Sequence, residues 1–235
     1  MFAVASNAIP RLGPQRALPG RRCRYGLVPK LPIRRSGIEM PTRLVVEKTT
    51  TLSPKRAPTV IRQPKHPRFS EYRVRRSLMR ILRANELCSI ATVTGGGRAH
   101  NSHLYFCWSE DLEFYFLSDP RSLHCRNLLT NPSMDMTVFS SDQPWDRPGR
   151  GLQLWGRCVE AKGQHAGKAE RAYRIRFPKY SEYRASVARD ARGKFQYRFW
   201  RFVPWRTKLL DEREFGGGVF VTASIWRIRE RPRVA

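Results

Sequence analysis

Between residues 71 and 225 the hydrophobic positions change period several times. In YRVRRSLMRILRANELC the apolar residues Val74, Leu78, Ile81 and Leu82 fall on one helical face, with arginines on the others. This predicts an amphipathic helix at about 73–85. The next segment, LCSIATVT (87–94), switches to alternation, with Cys88, Ile90, Ala91 and Val93 set between small polar residues. Gly95, Gly96 and Gly97 read as a turn, and RAHNSHLYFCWS as the returning strand, so 88–107 is predicted to be a β-hairpin. LEFYFLS (112–118) is a third strand, rich in aromatics. DPRSLHCRNLLTNP reads as a short helix with Asp119 near its N-cap and Asn131-Pro132 closing it.

Further along, MDMTVFS (134–140) and LQLWGRCVEA (152–161) read as strands four and five, joined by the proline-containing loop SDQPWDRPGR. AGKAERAYRIRF (166–177) is a helix stopped by Pro178. FQYRFWRFVPWRTKLLD (195–211) is a strand pair or one bent strand, broken at Pro204, and GGGVFVTASI (216–225) a last strand or a loop. Most joins between strands are too short for parallel crossovers. The predicted architecture is therefore a mainly β, antiparallel, small closed or partly open barrel with a few helices.

Charge divides the chain of 235 residues in two. It carries 45 Lys+Arg against 19 Asp+Glu, a formal +26. Residues 1–70 hold half of that excess, with only Glu39 and Glu47 as acids, and 10 of the 17 prolines. No hydrophobic period is sustained there, so 1–70 is expected to be a disordered basic tail, 71–225 the folded domain and 226–235 a basic C-terminal tail. An Arg-rich, acid-poor start fits an organellar transit peptide, attraction to polyanions, or a leader upstream of a true start at Met40. No apolar run is long enough to span a membrane. Cys23, Cys88, Cys107, Cys125 and Cys158 form no CxxC pair, which points to reduced thiols in a cytoplasmic protein, or an organellar one if residues 1–40 are a targeting segment.

Candidate chemistry is sparse. His100 and His103 lie three apart on a strand and so on opposite faces, and no HExxH or Cys/His cluster accompanies them, so no metal site is expected. There is no GxSxG, P-loop or GxGxxG, and Cys125 beside His124 reads as a thiol on the apolar face of a helix. The segment Ser118-Asp119-Pro120-Arg121-Ser122-Leu123-His124 is more specific. It joins a strand to a helix N-terminus, where free N–H groups attract anions and Ser118, Ser122 and Arg121 would complete a phosphate cradle. Tyr197–Arg206 interleaves basic and aromatic residues as a nucleic-acid binder does, but a strand with one apolar and one charged face explains it more simply, so nucleic acid is not the expected partner.

Taken in order, LCSIATV…GRAHNSHLYF, LEFYFLSDPRSLHCRNLLTNPSMDMTVF, LQLWGRCVEA, AERAYRIRFPKY and FWRFVPWRTKLLD resemble the pyridoxamine 5'-phosphate oxidase-like family of FMN-binding split barrels over roughly 72–225. The resemblance implies a six-stranded antiparallel split barrel and a homodimer with FMN at the subunit interface. It implies phosphate contacts from Ser118, Arg121 and Ser122, with His124 as a further one. It implies flavin-ring contacts from His100, Asn101, Ser102 and His103 and from the strand holding Gln153 and Gly156. Leu123 and His124 stand where true oxidases commonly carry an Arg-Lys pair, and the Arg-rich C-terminal motif is replaced by SIWRIRERPRVA. The expectation is a flavin oxidoreductase with a small-molecule substrate or electron donor. The alternatives are a non-catalytic barrel holding flavin or haem, or a member using a deazaflavin. Trp145 and Trp155 are candidate ring-stacking residues, and His100 and His103 the ionisable groups nearest the expected ring.

Overall fold

The structure is a computed structural model that describes residues 42–53, 56–62, 67–190 and 197–227, all within one unit, Glu39–Ala235. The readings for residues 1–41 and 228–235 lie outside the described residues.

In chain order the elements are β1 (Thr42–Ser53), β2 (Arg56–Arg62), α1 (Glu71–Ala84), β3 (Leu87–Val93), β4 (Ala99–Trp108), β5 (Phe114–Ser118), α2 (Leu123–Thr130) and β6 (Ser133–Phe139). They continue with β7 (Arg150–Glu160), α3 (Gln164–Arg176), α4 (Tyr180–Asp190), β8 (Arg198–Asp211), α5 (Glu212–Phe215) and β9 (Val219–Arg227). All pairings are antiparallel. The order β8-β5-β4-β3-β6-β7 closes on itself through a second edge of β8, giving a six-stranded barrel, and β9, β1 and β2 extend the sheet from it. The barrel predicted from the alternating segments is therefore present.

Alternation decides which side chains fill it. Cys88, Ile90 and Thr92 of β3, Met134, Met136 and Val138 of β6, and Leu152, Leu154 and Cys158 of β7 are buried while their neighbours face outward. The hairpin between β3 and β4 closes over Thr94–Gly97, where the Thr94 N–H donates to Arg98 O at 2.9 Å and Gly97 adopts φ +76°. α1 lies across the barrel with Val74, Leu78, Ile81 and Leu82 inward. The Ser70 hydroxyl caps it by accepting from the Arg73 N–H. A second apolar cluster, with Cys107, Tyr115, Tyr173, Tyr180 and Phe199, forms where α3 and α4 cover the other side.

Three features depart from the sequence reading. First, residues 42–53 and 56–62 are strands and not part of a disordered tail. β1 pairs with β9 from Thr42↔Arg227 to Thr51↔Val219 and with β2 on its other edge, and Leu44 enters the main core. The segment is rich in β-branched residues, which suit a pleated surface. Pro58 stands in β2, which is exposed throughout and forms an outer edge of the sheet, where a missing N–H breaks no ladder. Second, α4 follows Pro178 almost at once, hidden in the sequence by polar residues that interrupt its apolar period. Third, β8 runs unbroken through Pro204. It pairs with β5 up to Phe202 and with β9 from Arg206, so Pro204 falls where the strand changes partner and no donor is needed on that side. Opposite it, β7 shifts register between Trp155 and Gly156.

A Cβ on Gly156 would lie 2.5 Å from Val203 O, 2.6 Å from a Phe202 ring carbon and 2.7 Å from Pro204 Cα. Neither backbone nor buried ring can move away at low cost. Gly156→Ala is therefore expected to destabilise the protein by about 2–3 kcal/mol in denaturant unfolding, against less than about 1 for an alanine at exposed Gly95.

Candidate functional site

The corner between β5 and α2 is built from a strand that ends on a hydroxyl and a helix that begins on one. β5 terminates at Ser118. A turn follows, with the Ser122 N–H donating to Asp119 O at 3.0 Å, and Ser122 is the N-cap of α2. Its extended backbone is normal for a cap, but its hydroxyl makes no capping bond to a backbone N–H of its own helix. It lies instead 3.1 Å from His124 Nε2 and 3.3 Å from Ser118 Oγ, and Ser118 Oγ is 2.7 Å from the same ring nitrogen. On its other side, His124 Nδ1 lies 3.2 Å from Ser102 Oγ, which is 3.1 Å from His100 Nε2. One imidazole, 8% exposed, thus connects β4 to the β5–α2 corner.

The electrostatics of this network follow from its burial. Burial first, and the neighbouring His100 second, push the His124 pKa down to about 4. The ring is neutral at physiological pH, with one N–H and one bare nitrogen. Either tautomer satisfies both sides, because serine hydroxyls donate or accept. The Ser118 and Ser122 hydroxyls can therefore turn a donor toward an anion without leaving His124 unsatisfied. Asn127 holds the helix in place by donating from Nδ2 to Thr92 Oγ1 at 3.0 Å, and Phe116 closes the site with its ring 6.2 Å from that of His124.

The residues anticipated from sequence separate into groups. His100, Ser102, Ser118, Ser122 and His124 are brought together by hydrogen bonds. Asn101, His103 and Gln153 are on the outer face of the barrel. There Asn101 Oδ1 accepts from Ser89 Oγ at 2.7 Å, and His103, Ser89, Thr137 and Gln153 form one cross-strand row. Arg121 points to solvent, with a side chain 77% exposed and forked onto Asp119 at 2.7–3.2 Å. Asp119, expected near the N-cap, lies three residues before it; its carboxylate accepts the Arg121 N–H at 2.8 Å and so shapes the turn before the helix. Gly156 has a packing role at the β7 bulge.

Of the tryptophans, Trp155 is half-buried in the outer row beside Asp135, and Trp145 is fully exposed on the β6–β7 loop. Arg198 was missed as a site residue. It stands opposite Ser118 in the β5–β8 register, a cation at the same corner that its place in an aromatic-basic run concealed. Burial raises the Cys125 thiol, which suits a packing residue and not a nucleophile. Among the described residues no cluster of three or more His, Cys, Asp or Glu could hold a metal ion.

A closed antiparallel barrel with a serine-bearing strand-to-helix corner defines a split-barrel protein. The sequence model of pyridoxamine 5'-phosphate oxidase matches residues 75–210, more than half of the chain, and the protein belongs to that family. Among solved structures, a heme binding protein from Mycobacterium smegmatis is similar at 16% identity and a TM-score of 0.51, over 68% of this chain and 60% of that one. A conserved hypothetical protein from Mycobacterium tuberculosis is similar at 16% identity and a TM-score of 0.50, over 74% of this chain and 100% of that one. These likenesses concern the fold. No curated protein sequence matches the chain.

The depressed His124 pKa makes stability depend on pH in a stated direction. Below its usual value of 6.5 the unfolded chain takes up a proton that the folded ring refuses. Stability contributed by the neutral ring is full above about 6.5, falls as pH drops to about 4, and levels off below. The expected loss across that window is on the order of 3 kcal/mol. Urea unfolding at pH 7 and pH 4.5 should show it in the wild type and show it reduced in His124→Asn.

Proposed function

We propose that the protein is an FMN-binding oxidoreductase that acts as a homodimer on a small-molecule substrate or electron donor. The observation that carries this reading is the open first turn of α2. Its N-cap hydroxyl is turned aside to His124 and Ser118, so the helix N-terminus presents amide donors not capped by that side chain, beside two serine hydroxyls. That donor set fits a phosphate monoester. Arg121 and Arg198 at the same corner supply positive charge, though Arg121 must exchange its bond to Asp119 for one to the ligand.

Bound FMN would supply hydride or electron transfer at its ring. The chain's own residues bind, orient and tune. Ser118 and Ser122 donate to the phosphate. His124, held neutral, fixes both hydroxyls and carries their proton rearrangement to Ser102. His100 ends the network on a less buried part of β4.

Support for a second subunit comes from the outer face of the barrel. Tyr105 faces Leu87 across β3 and β4, and Phe139 lies on the same face of the neighbouring strand β6. All three are about half exposed beside Asn101, His103 and Gln153. A partner seated on this apolar surface would bring its own groups to the polar residues next to it.

The test is a titration of the purified chain with FMN, followed by the quenching of flavin fluorescence. Ser118→Ala and Ser122→Ala are each expected to weaken binding about tenfold, the cost of one hydrogen bond to a charged group. Arg121→Ala is expected to cost less, because Asp119 already holds its guanidinium. Wild-type affinity in both serine variants would contradict the assignment.

A further inference from the structure

A second built hollow shares no residue with the β5–α2 corner. The C-terminal half of α1 and the β6–β7 loop, residues 140–149, enclose a cleft of about 390 Å³ whose apolar wall includes Ile81, Ala84, Pro144 and Pro148. Through Ala84 it adjoins a more open hollow of about 620 Å³ along α1. Six guanidiniums and a single carboxylate, Asp142, line the two. Glu214 and Asp211 pair with Arg76, Arg80 and Arg150. Arg83, Arg147 and Arg213 have no acidic partner among the described residues.

The loop that forms one wall is firmly held. Gln143 Nε2 donates to Ser140 O at 3.0 Å and to Arg150 O at 2.9 Å, and the Gly149 N–H donates to Glu212 Oε2 at 2.7 Å. Yet this anchored loop holds Trp145, the residue after Pro144, 100% exposed. A large ring left entirely in water on a pinned loop, two residues before the unpaired Arg147, adds no buried area to the fold.

We propose that this cleft holds the phosphate of a nucleotide on Arg147 and Arg213, which line it, while the base extends out of the cleft to stack on Trp145, outside its lining on the adjoining loop. An aromatic platform flanked by forked cations is the pairing that recognises a base with its phosphate. The volume lies within the roughly 300–1,000 Å³ of small-ligand sites. Charge rules against other occupants. Residues 1–41 of this chain carry eight Lys+Arg and one acid, so the cleft repels them. A second copy docked here would set guanidiniums against guanidiniums. The same base-and-phosphate chemistry comes from a free nucleotide or from one unit of single-stranded RNA.

The experiment uses the full chain, a fluorescein-labelled 12-nucleotide oligouridylate followed by anisotropy, and adenosine monophosphate as competitor. Trp145→Ala leaves the net charge unchanged, so any loss is separate from the general attraction of a strongly basic protein. It is expected to weaken binding about tenfold, and Trp145→Phe to restore most of it. The double change Arg147→Gln with Arg213→Gln is expected to lower the log–log salt slope by about 1.4. Competition by the monophosphate at micromolar concentration assigns a free nucleotide; resistance to it assigns the strand. FMN affinity should stay at the wild-type value in all three variants, which separates this site from the β5–α2 corner. Oligonucleotide and nucleotide binding within twofold of wild type in both Trp145→Ala and the double variant would overturn the proposal. So would a change of oligomeric state on Trp145→Ala with nucleotide affinity intact, which would make the tryptophan a subunit contact.

Discussion

One strand closes this barrel, and its continuity constrains everything attached to it. β8 must pair with β7 along nearly its whole length while exchanging β5 for β9 on its other edge. The exchange falls at Pro204, the one residue in the strand with no N–H to leave unpaired. Opposite, β7 shifts its register at Gly156, the one residue type that admits Val203 O and the Phe202 ring so close. From this crossing the rest follows. Pairing of β5 with the first half of β8 fixes Ser118 opposite Arg198, so the place where β5 stops, and α2 begins, is set by the closing strand.

The end of β8 anchors the layer outside the barrel. Asp211, fully buried, accepts from Ser77 Oγ at 2.8 Å, and Glu214 receives Arg73, Arg76 and Arg80 from three positions along α1. Burial alone would raise the Glu214 carboxyl, but hydrogen bonds from Arg80, Arg73 and Arg76 outweigh it and hold the pKa near 2. α1 is thus held to the barrel by one carboxylate at the end of its longest strand and one just after it. Arg176 completes the fastening from α3, its guanidinium 4.3 Å from the Trp108 ring centre while it donates to the Leu82 and Asn85 carbonyls at the C-terminal end of α1. These contacts leave only part of the arginine face of α1 neutralised; Arg83, in the hollow along the helix, has no acidic partner among the described residues.

Local signals made much of this legible. The alternation in 87–94, the glycine turn and the aromatic strand 112–118 specify the hairpin and third strand almost to the residue, because each pattern has one buried solution. What failed depends on distant partners. β1 looked like tail because prolines surround it, and only pairing with β9 shows that Pro41 and Pro54 bracket a strand. Pro204 looked like a break because the change of partner strand is a tertiary event. At the site, Ser118, Ser122 and Arg121 were legible as residues of one strand-to-helix corner, and His124 entered only through the family resemblance. That His124 also reaches Ser102 was not, since it joins segments 22 residues apart. Arg121 looked like one member of an anion cradle, but a carboxylate two residues earlier in the chain holds its guanidinium.

The proposed role of the β5–α2 corner is to receive the phosphate of a flavin. The most direct measurement is the absorption spectrum of the purified full chain, with acid release and identification of any chromophore before and after incubation with FMN. The account predicts flavin bands near their usual visible positions and release of FMN. A Soret band, or a colourless protein that takes up no FMN, would contradict it.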